Sequence, residues 1–358
     1  MPTQPTVARD LVDIERLAPW LADVLGATGD VSVARLGEGH SNLTYAVTVG
    51  DRHWVLRRPP TGPLLPTAHD VVREYRVLDL LVRAAEPVRV PAPVAVCADD
   101  SVLGAPFYLM QRVAGEVVRT DPPVWLDPAG RHALGLDLVT AFAEVHRVDP
   151  RPFVATGLGR PGGYLQRQLR RWTGQREGIV TAVGATGGTA RDLPDYDAVR
   201  DWLAARLPAE QLPAVVHGDA KLDNVVVAPP EAGRPARVAA VLDWEMATVG
   251  DPRADLGYLL SFWPEDGRPA ASHPLARLVT SGDGFPTRVE LVAAWEAATG
   301  RSAGDLTWFV TLAVWKLAVL LEASYHRHLA GSTDDPFFAT LEQGVPALLA
   351  HARETCGA

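Results

Sequence analysis

Residues 215–257, VVHGDAKLDNVVVAPPEAGRPARVAAVLDWEMATVGDPRADLG, constrain the fold more than any other stretch. Val225–Val227 and Arg237–Leu242 are short apolar runs rich in β-branched residues and read as buried strands. Pro229, Pro230, Gly233 and Pro235 between them mark a turn. Paired as a hairpin, the strands set the start of one beside the end of the other. Asn224 and Asp243 then meet at its base although they lie 19 positions apart. Asp219, upstream of Asn224, reaches the same place from a loop. Oxygen donors gathered in this way suit Mg2+, which keeps several waters and is held by one or two carboxylates plus substrate phosphates.

Phosphoryl transfer needs a carboxylate that orients the attacking hydroxyl and takes its proton. Protein kinases place that Asp in a loop, follow it with an Asn, and supply a metal-binding Asp later. The present order is His217-Gly218-Asp219-x-x-x-x-Asn224, then Asp243-Trp244-Glu245, then Gly250-Asp251-Pro252-x-x-Asp255-Leu256. This combination resembles the aminoglycoside phosphotransferase-like family of small-molecule kinases. The resemblance implies an α+β, two-lobed, protein-kinase-like fold with the nucleotide between the lobes. Residues 1–112 would form an N-lobe, a five-stranded antiparallel sheet plus a helix. Residues 113–358 would form a mainly helical C-lobe with the catalytic loop and substrate cleft. Asp219 is then the catalytic base, Asn224 and Asp243 hold Mg2+, and ATP or GTP is the donor. His217, Glu245 and Asp255 fall into supporting roles. Asp255 either caps a helix or accepts hydrogen bonds from the loop backbone. Glu245 is open between a second metal contact and a hydrogen bond to the loop.

Composition narrows the function classes. At 358 residues and 47% hydrophobic content the chain can bury one large core or two lobes, and general disorder is excluded. No apolar run approaches the ~20 residues needed to span a bilayer. The start MPTQPTVARD has neither a basic nor an apolar signal region, and Cys97 and Cys356 form no metal spacing. A cytoplasmic location is expected. The net charge of −9 argues against nonspecific nucleic-acid binding. Expected partners are a nucleoside triphosphate and a small-molecule hydroxyl substrate, with no nucleic acid and no membrane; the oligomeric state is left open.

Toward the N-terminus, Leu11, Ile14, Leu17, Leu21 and Leu25 share a helical face, with Gly26 as a stop and Pro19 in a first turn or at a kink. Val31–Leu36, Thr44–Val49 and His53–Leu56 read as strands. The first two flank Gly37-Glu38-Gly39-His40-Ser41-Asn42, where glycines let backbone N–H groups approach phosphates. Gly37, Gly39, Ser41 and Asn42 are the phosphate-binding candidates, although the third glycine of the protein-kinase loop is absent. Arg57 occupies the slot of the kinase lysine, and Glu74 lies on a helix from Asp70 to Ala84, so these two are paired. Arg58 is the rival, pointed to the opposite face by strand alternation. Val88–Val96 and Pro106–Arg112 complete the sheet. The resemblance places nucleobase-binding backbone groups at about Gln111 and Val113.

The rest reads as helical, beginning with Gly130–Arg147, whose His146 is taken as structural. Tyr164–Arg176 is a basic helix bearing Arg167, Arg170 and Arg171, followed by a loop at residues 184–189. Its YLxRQLRRW resembles the kinase-like domains fused to some acyl-CoA dehydrogenases. That likeness implies hydroxyacyl substrates, CoA thioesters among them, with the arginines holding phosphates or a carboxylate. An aminoglycoside acceptor and a nucleotide-binding module without turnover are the alternatives. Further helices are expected at Thr287–Thr299, Ala303–Leu329 and Pro336–Glu354.

Overall fold

The computed structural model describes residues 11–37, 42–60, 70–119, 121–185, 187–264, 279–331 and 335–358. The chain divides into two compact units, one of Met1–Arg83 and Val90–Ala114, the other of Ala84–Arg89 and Gly115–Ala358.

In the first unit, helix α1 (Ile14–Leu25) starts at Asp13, whose carboxylate accepts from the N–H groups of Glu15 and Arg16. It ends at Gly26 in the left-handed conformation, and Pro19 sits inside it, beyond the first turn. Strands β1 (Val31–Arg35), β2 (Leu43–Val49), β3 (Arg52–Arg58), β4 (Pro93–Cys97) and β5 (Phe107–Gln111) form one antiparallel sheet in the order β1-β2-β3-β5-β4. α2 (Val71–Val82), capped by Asp70, packs on β4 and β5; the short α3 (Asp100–Leu103) precedes β5. Leu17, Leu21, Val47, Leu56, Phe107 and Leu109 form the heart of the core and are fully buried. Each such side chain contributes roughly 1.5–3 kcal/mol by leaving water. β4 starts later than the expected Val88, since Pro91 and Pro93 lack N–H groups for a ladder.

The second unit contains α4 (Pro128–Arg147), α5 (Arg151–Ala155), α6 (Tyr164–Ala185), α7 (Pro194–Ala205), β6 (Ala214–Val216), β7 (Val225–Ala228), β8 (Arg237–Val241), β9 (Thr248–Gly250), α8 (Arg253–Ser261), α9 (Arg288–Thr299), α10 (Thr307–Leu329) and α11 (Phe337–Cys356). β6 pairs with β9 and β7 with β8, both antiparallel. α6 continues past Arg176 to Ala185, which takes the first two residues of the expected 184–189 loop into the helix; Thr186 lies outside the described residues. Arg89 joins this unit because its guanidinium bridges Asp137 (2.7 Å) and Glu144 (3.0 Å) on α4, while its carbonyl accepts from Val241 N–H at 2.7 Å. α10 corrects one expectation, for it is long and apolar enough to cross a membrane. It is a core helix here, largely buried and packed against α6, α7, α8 and α11.

Candidate active site

Two short ladders hold the loop 217–224. β6 leads into it, and β7 leaves it paired with β8 so that Val225 faces Val241. One step beyond, Leu242 N–H donates to the Asn224 carbonyl at 2.8 Å. The hairpin therefore carries Asn224 and Asp243 to the same end, as the strand reading anticipated.

His217 fastens the loop to that end. Its Nδ1 accepts from Asp219 N–H at 3.2 Å, so Nε2–H donates to the Leu242 carbonyl at 2.7 Å. The ring is buried edge-on against Phe142 and Trp244. Asp255 fastens the loop from below. It sits in the first turn of α8 rather than at the cap, and its carboxylate accepts from His217 N–H (2.6 Å) and Gly218 N–H (2.8 Å). Of its two expected roles, the backbone one is observed. His146 Nε2 is 3.1 Å from the same carboxylate, and the Trp295 indole N–H donates to His146 Nδ1 at 3.0 Å. An indole can only donate, so it leaves His146 the tautomer that donates to Asp255. Burial pushes the Asp255 pKa up, but the His146 bond and the loop amides outweigh it and hold it below the ordinary value. Gly218, at φ 85°, has no room for a Cβ, which would lie 2.9 Å from the Met246 carbonyl oxygen.

Asp219 projects from this clamped backbone with its side chain 19% exposed. The Asn224 side-chain amide donates to its Oδ2 at 2.6 Å and to its carbonyl at 2.9 Å, and the Tyr258 hydroxyl donates to the carboxylate. Lys221 Nζ lies 3.5 Å from Oδ2. Burial alone would raise the Asp219 pKa, but Lys221 and Lys316 overcome it and hold it at about 2. The group is a carboxylate, able to orient a hydroxyl, throughout the neutral range.

Asp243 is the one non-glycine residue with positive φ among the described residues, at φ 65° and ψ 66°. That conformation costs on the order of 1–3 kcal/mol. The Trp244 indole, bonded to the Val241 carbonyl at 3.0 Å, anchors the turn that follows. Among the described residues no group of three or more His, Cys, Asp and Glu could hold a metal alone. The candidate donors would be Asp243 and Asn224, whose NH2 is spent on Asp219 so that Oδ1 would be the atom turned to a cation. One carboxylate and one amide oxygen fit Mg2+ that takes its remaining ligands from water and phosphate. Glu245 is part-exposed in the 3-10 turn Trp244–Met246.

In the first unit Arg57 Nε lies 3.2 Å from Glu74 Oε2, with both side chains buried. Arg58 turns the other way and donates to the carbonyls of Leu11 and Leu103, which removes it as a rival. Gly37 has φ 72° two residues after β1, and Asn42 is buried; Gly39 and Ser41 lie outside the described residues. Gln111 N–H donates to the Ala92 carbonyl at 2.8 Å, so that donor is withdrawn from nucleobase binding.

The arginines of α6 separate. Arg167 donates to the carbonyls of Gly162 and Arg160, and so closes the turn before its own helix. Arg170 is exposed. Arg171 is exposed over the Trp172 ring (5.0 Å), near enough to lower the pKa of Lys316.

Sequence reasoning passed over Lys221, Tyr258 and Lys316. Lys221 was within reach, since it stands two residues after Asp219. Its ammonium lies 3.5 Å from Asp219 and 3.4 Å from Asp223, and these carboxylates with Asp243 raise its pKa against the effect of burial. Tyr258 and Lys316 sit on helices that read as apolar core, and nothing local marked them.

Residues 32–288 match the phosphotransferase enzyme family, APH. The chain belongs to this family. Its sequence is 36% identical over 309 residues to acyl-CoA dehydrogenase family member 11 of Gallus gallus, covering 85% of this chain and 38% of that protein. It is 31% identical to family member 10 of Mus musculus, covering 95% of this chain and 30% of that protein. The chain thus spans about a third of the length of these relatives. A crystal structure from Ralstonia eutropha assigned to the aminoglycoside phosphotransferases superposes with a TM-score of 0.72 at 30% identity, covering 96% of this chain and 98% of that one. The GDP complex of aminoglycoside 2'-phosphotransferase-IIIa shares the fold at TM-score 0.60 and 18% identity, covering 96% and 99%. Membership and superposition together give the chain a protein-kinase-like α+β fold.

Proposed function

We propose that this phosphotransferase moves the γ-phosphoryl group of ATP or GTP to a hydroxyl of a small molecule, with a hydroxyacyl compound as the acceptor class. The observation that carries the reading is the Asp219 carboxylate, held ionised and oriented by Asn224, Tyr258 and Lys221 on a loop with no slack. In this reading Asp219 aligns the acceptor hydroxyl and takes its proton late, as a loose transition state allows. Lys221 faces the charge that develops on the transferred group. Asn224 and Asp243 would hold Mg2+, which when bound neutralises phosphate charge. Arg57, steadied by Glu74, would contact the α- and β-phosphates. Gly37, Gly39, Ser41 and Asn42 would line the phosphate loop, with backbone groups near Gln111 and Val113 at the base.

Arg171 supports an anionic acceptor, because it is the α6 arginine whose charge reaches Lys316 and so the catalytic loop. A polycationic aminoglycoside would meet repulsion on that side. The likeness to acyl-CoA dehydrogenase family members 10 and 11 also supports an acyl substrate. The test is ADP release and product mass with Mg2+ and ATP or GTP across 3- and 4-hydroxyacyl-CoAs, aminoglycosides and choline-like alcohols. Phosphorylation of a hydroxyacyl-CoA that falls with Arg171→Ala is the expected result. Turnover of aminoglycosides alone would reject the acceptor class, and nucleotide binding with no transfer to any acceptor would reject the enzyme reading.

A further inference from the structure

Lys316 lies in the middle of α10, between Trp315 and Leu317, and is 6% exposed. An ammonium removed from water in an apolar helix is retained only where partners compensate it. Here they are specific. Nζ donates to the Gly218 carbonyl and lies 4.3 Å from the Tyr258 ring centroid and 5.4 Å from that of Trp172. Asp219 on the loop and Asp255 on α8 attract it, and Arg171 on α6 and Lys221 on the loop repel it. Its only hydrogen-bond acceptor among the described residues is therefore the backbone directly ahead of Asp219.

The Gly218–Asp219 peptide is planar, so fixing its oxygen and its N–H fixes the plane from which the Asp219 side chain departs. Lys316 takes the oxygen and His217 Nδ1 takes the N–H. The ring on which Lys316 rests belongs to Tyr258, whose hydroxyl donates to the Asp219 carboxylate. One ammonium thus braces both the backbone and a side-chain partner of the same residue. We infer that Lys316 is a positioning residue for phosphoryl transfer, holding Asp219 in the orientation that receives the acceptor hydroxyl. The inference rests on the phosphotransfer reading above.

The test compares full-length Lys316→Met, Lys316→Arg and Asp219→Asn with the parent chain. The first readout is steady-state turnover with Mg2+–ATP and the best alcohol of the panel, or water where none is phosphorylated. The second is hydrogen exchange of peptides covering residues 214–224. Lys316→Met is expected to lower kcat about 100-fold, the scale of a 1 Å misplacement, with KM for Mg2+–ATP unchanged. It is also expected to speed exchange at residues 217–221 while α4 and α9 keep their protection. Lys316→Arg should restore most of both. Wild-type kcat and unchanged loop exchange in Lys316→Met would overturn the inference, as would a uniform loss of protection with kcat per folded molecule unchanged. If Lys316→Met does not fold, Lys316→Gln takes its place in both measurements, and the same results support or overturn the brace. A parent chain indistinguishable from Asp219→Asn on every acceptor rejects the phosphotransfer reading itself, and loop exchange still decides the brace.

Discussion

The side-chain amide of Asn224 donates to the Asp219 carboxylate at 2.6 Å, so the candidate metal ligand and the candidate base share a hydrogen bond. One residue orients the other before any substrate arrives, and the two tasks are separable by mutation. Asp219→Ala is expected to lower transfer about 1000-fold, within the usual range for losing a positioned base, with nucleotide affinity retained. Steady-state kinetics with parallel calorimetric titration of nucleotide checks it; turnover near wild type would reject the assignment.

Asp243→Ala should act on the nucleotide instead. It removes the one carboxylate of the proposed Mg2+ pair, while the Ala Cβ keeps the strain of the left-handed backbone, which Asp tolerates better than Ala. Mg2+-dependent ATP affinity should fall at least 10-fold, the scale on which metal-site losses are read, while the melting temperature holds or falls slightly. Titration with and without EDTA, next to a thermal melt, gives both numbers; equal Mg2+–ATP affinity in the two proteins would count against Asp243 as a ligand.

Asp255 predicts a stability effect. Asp255→Ala orphans the buried N–H groups of His217 and Gly218 together with His146. Roughly 3–5 kcal/mol of unfolding free energy should be lost. Trp295→Phe removes the donor to His146 Nδ1 and part of a fully buried ring, and should cost about 2 kcal/mol. Urea denaturation of the two variants ranks them, and the reverse order would refute the network.

Glu74→Gln leaves Arg57 buried without its carboxylate. About 3 kcal/mol of stability should be lost, with a raised KM for ATP if Arg57 serves the phosphates. An unchanged KM in a folded Glu74→Gln enzyme would confine the pair to a structural role.

Alkaline pH separates stability from activity at Lys316. Burial lowers its pKa from 10.5 to about 8, against the pull of Asp219 and Asp255. The unfolded chain therefore binds the extra proton between about pH 8 and 10.5, and this group's contribution to stability rises with pH across that window, by up to about 3 kcal/mol. Activity should fall in the same window as the brace loses its charge. Lys316→Arg, which stays protonated, should abolish both trends. Parallel pH profiles of kcat and of urea midpoint measure them, and a Lys316→Arg enzyme with the same alkaline limb would exclude this group as its source.

Local information sufficed where spacing and period are the cause. The β-branched runs around the proline-rich turn specify a hairpin, and a hairpin can only set Asn224 beside Leu242 and Asp243. Alternation along β3 likewise sends Arg57 toward Glu74 and Arg58 to the opposite face, because the side-chain period of a strand is two. The two-unit α+β organisation and Asp219 as candidate base came instead from the resemblance carried by the motifs of residues 217–256. Tertiary structure alone decided what surrounds Asp219. Lys316 comes from α10, Tyr258 and Asp255 from α8, His146 from α4 and Trp295 from α9, and their meeting depends on helix packing over long sequence separations. A lysine within an apolar helix looks the same in sequence whether it snorkels to water or braces a carbonyl. Only the packed neighbours distinguish the two, since the desolvation and the compensating partners exist only once the helices have assembled.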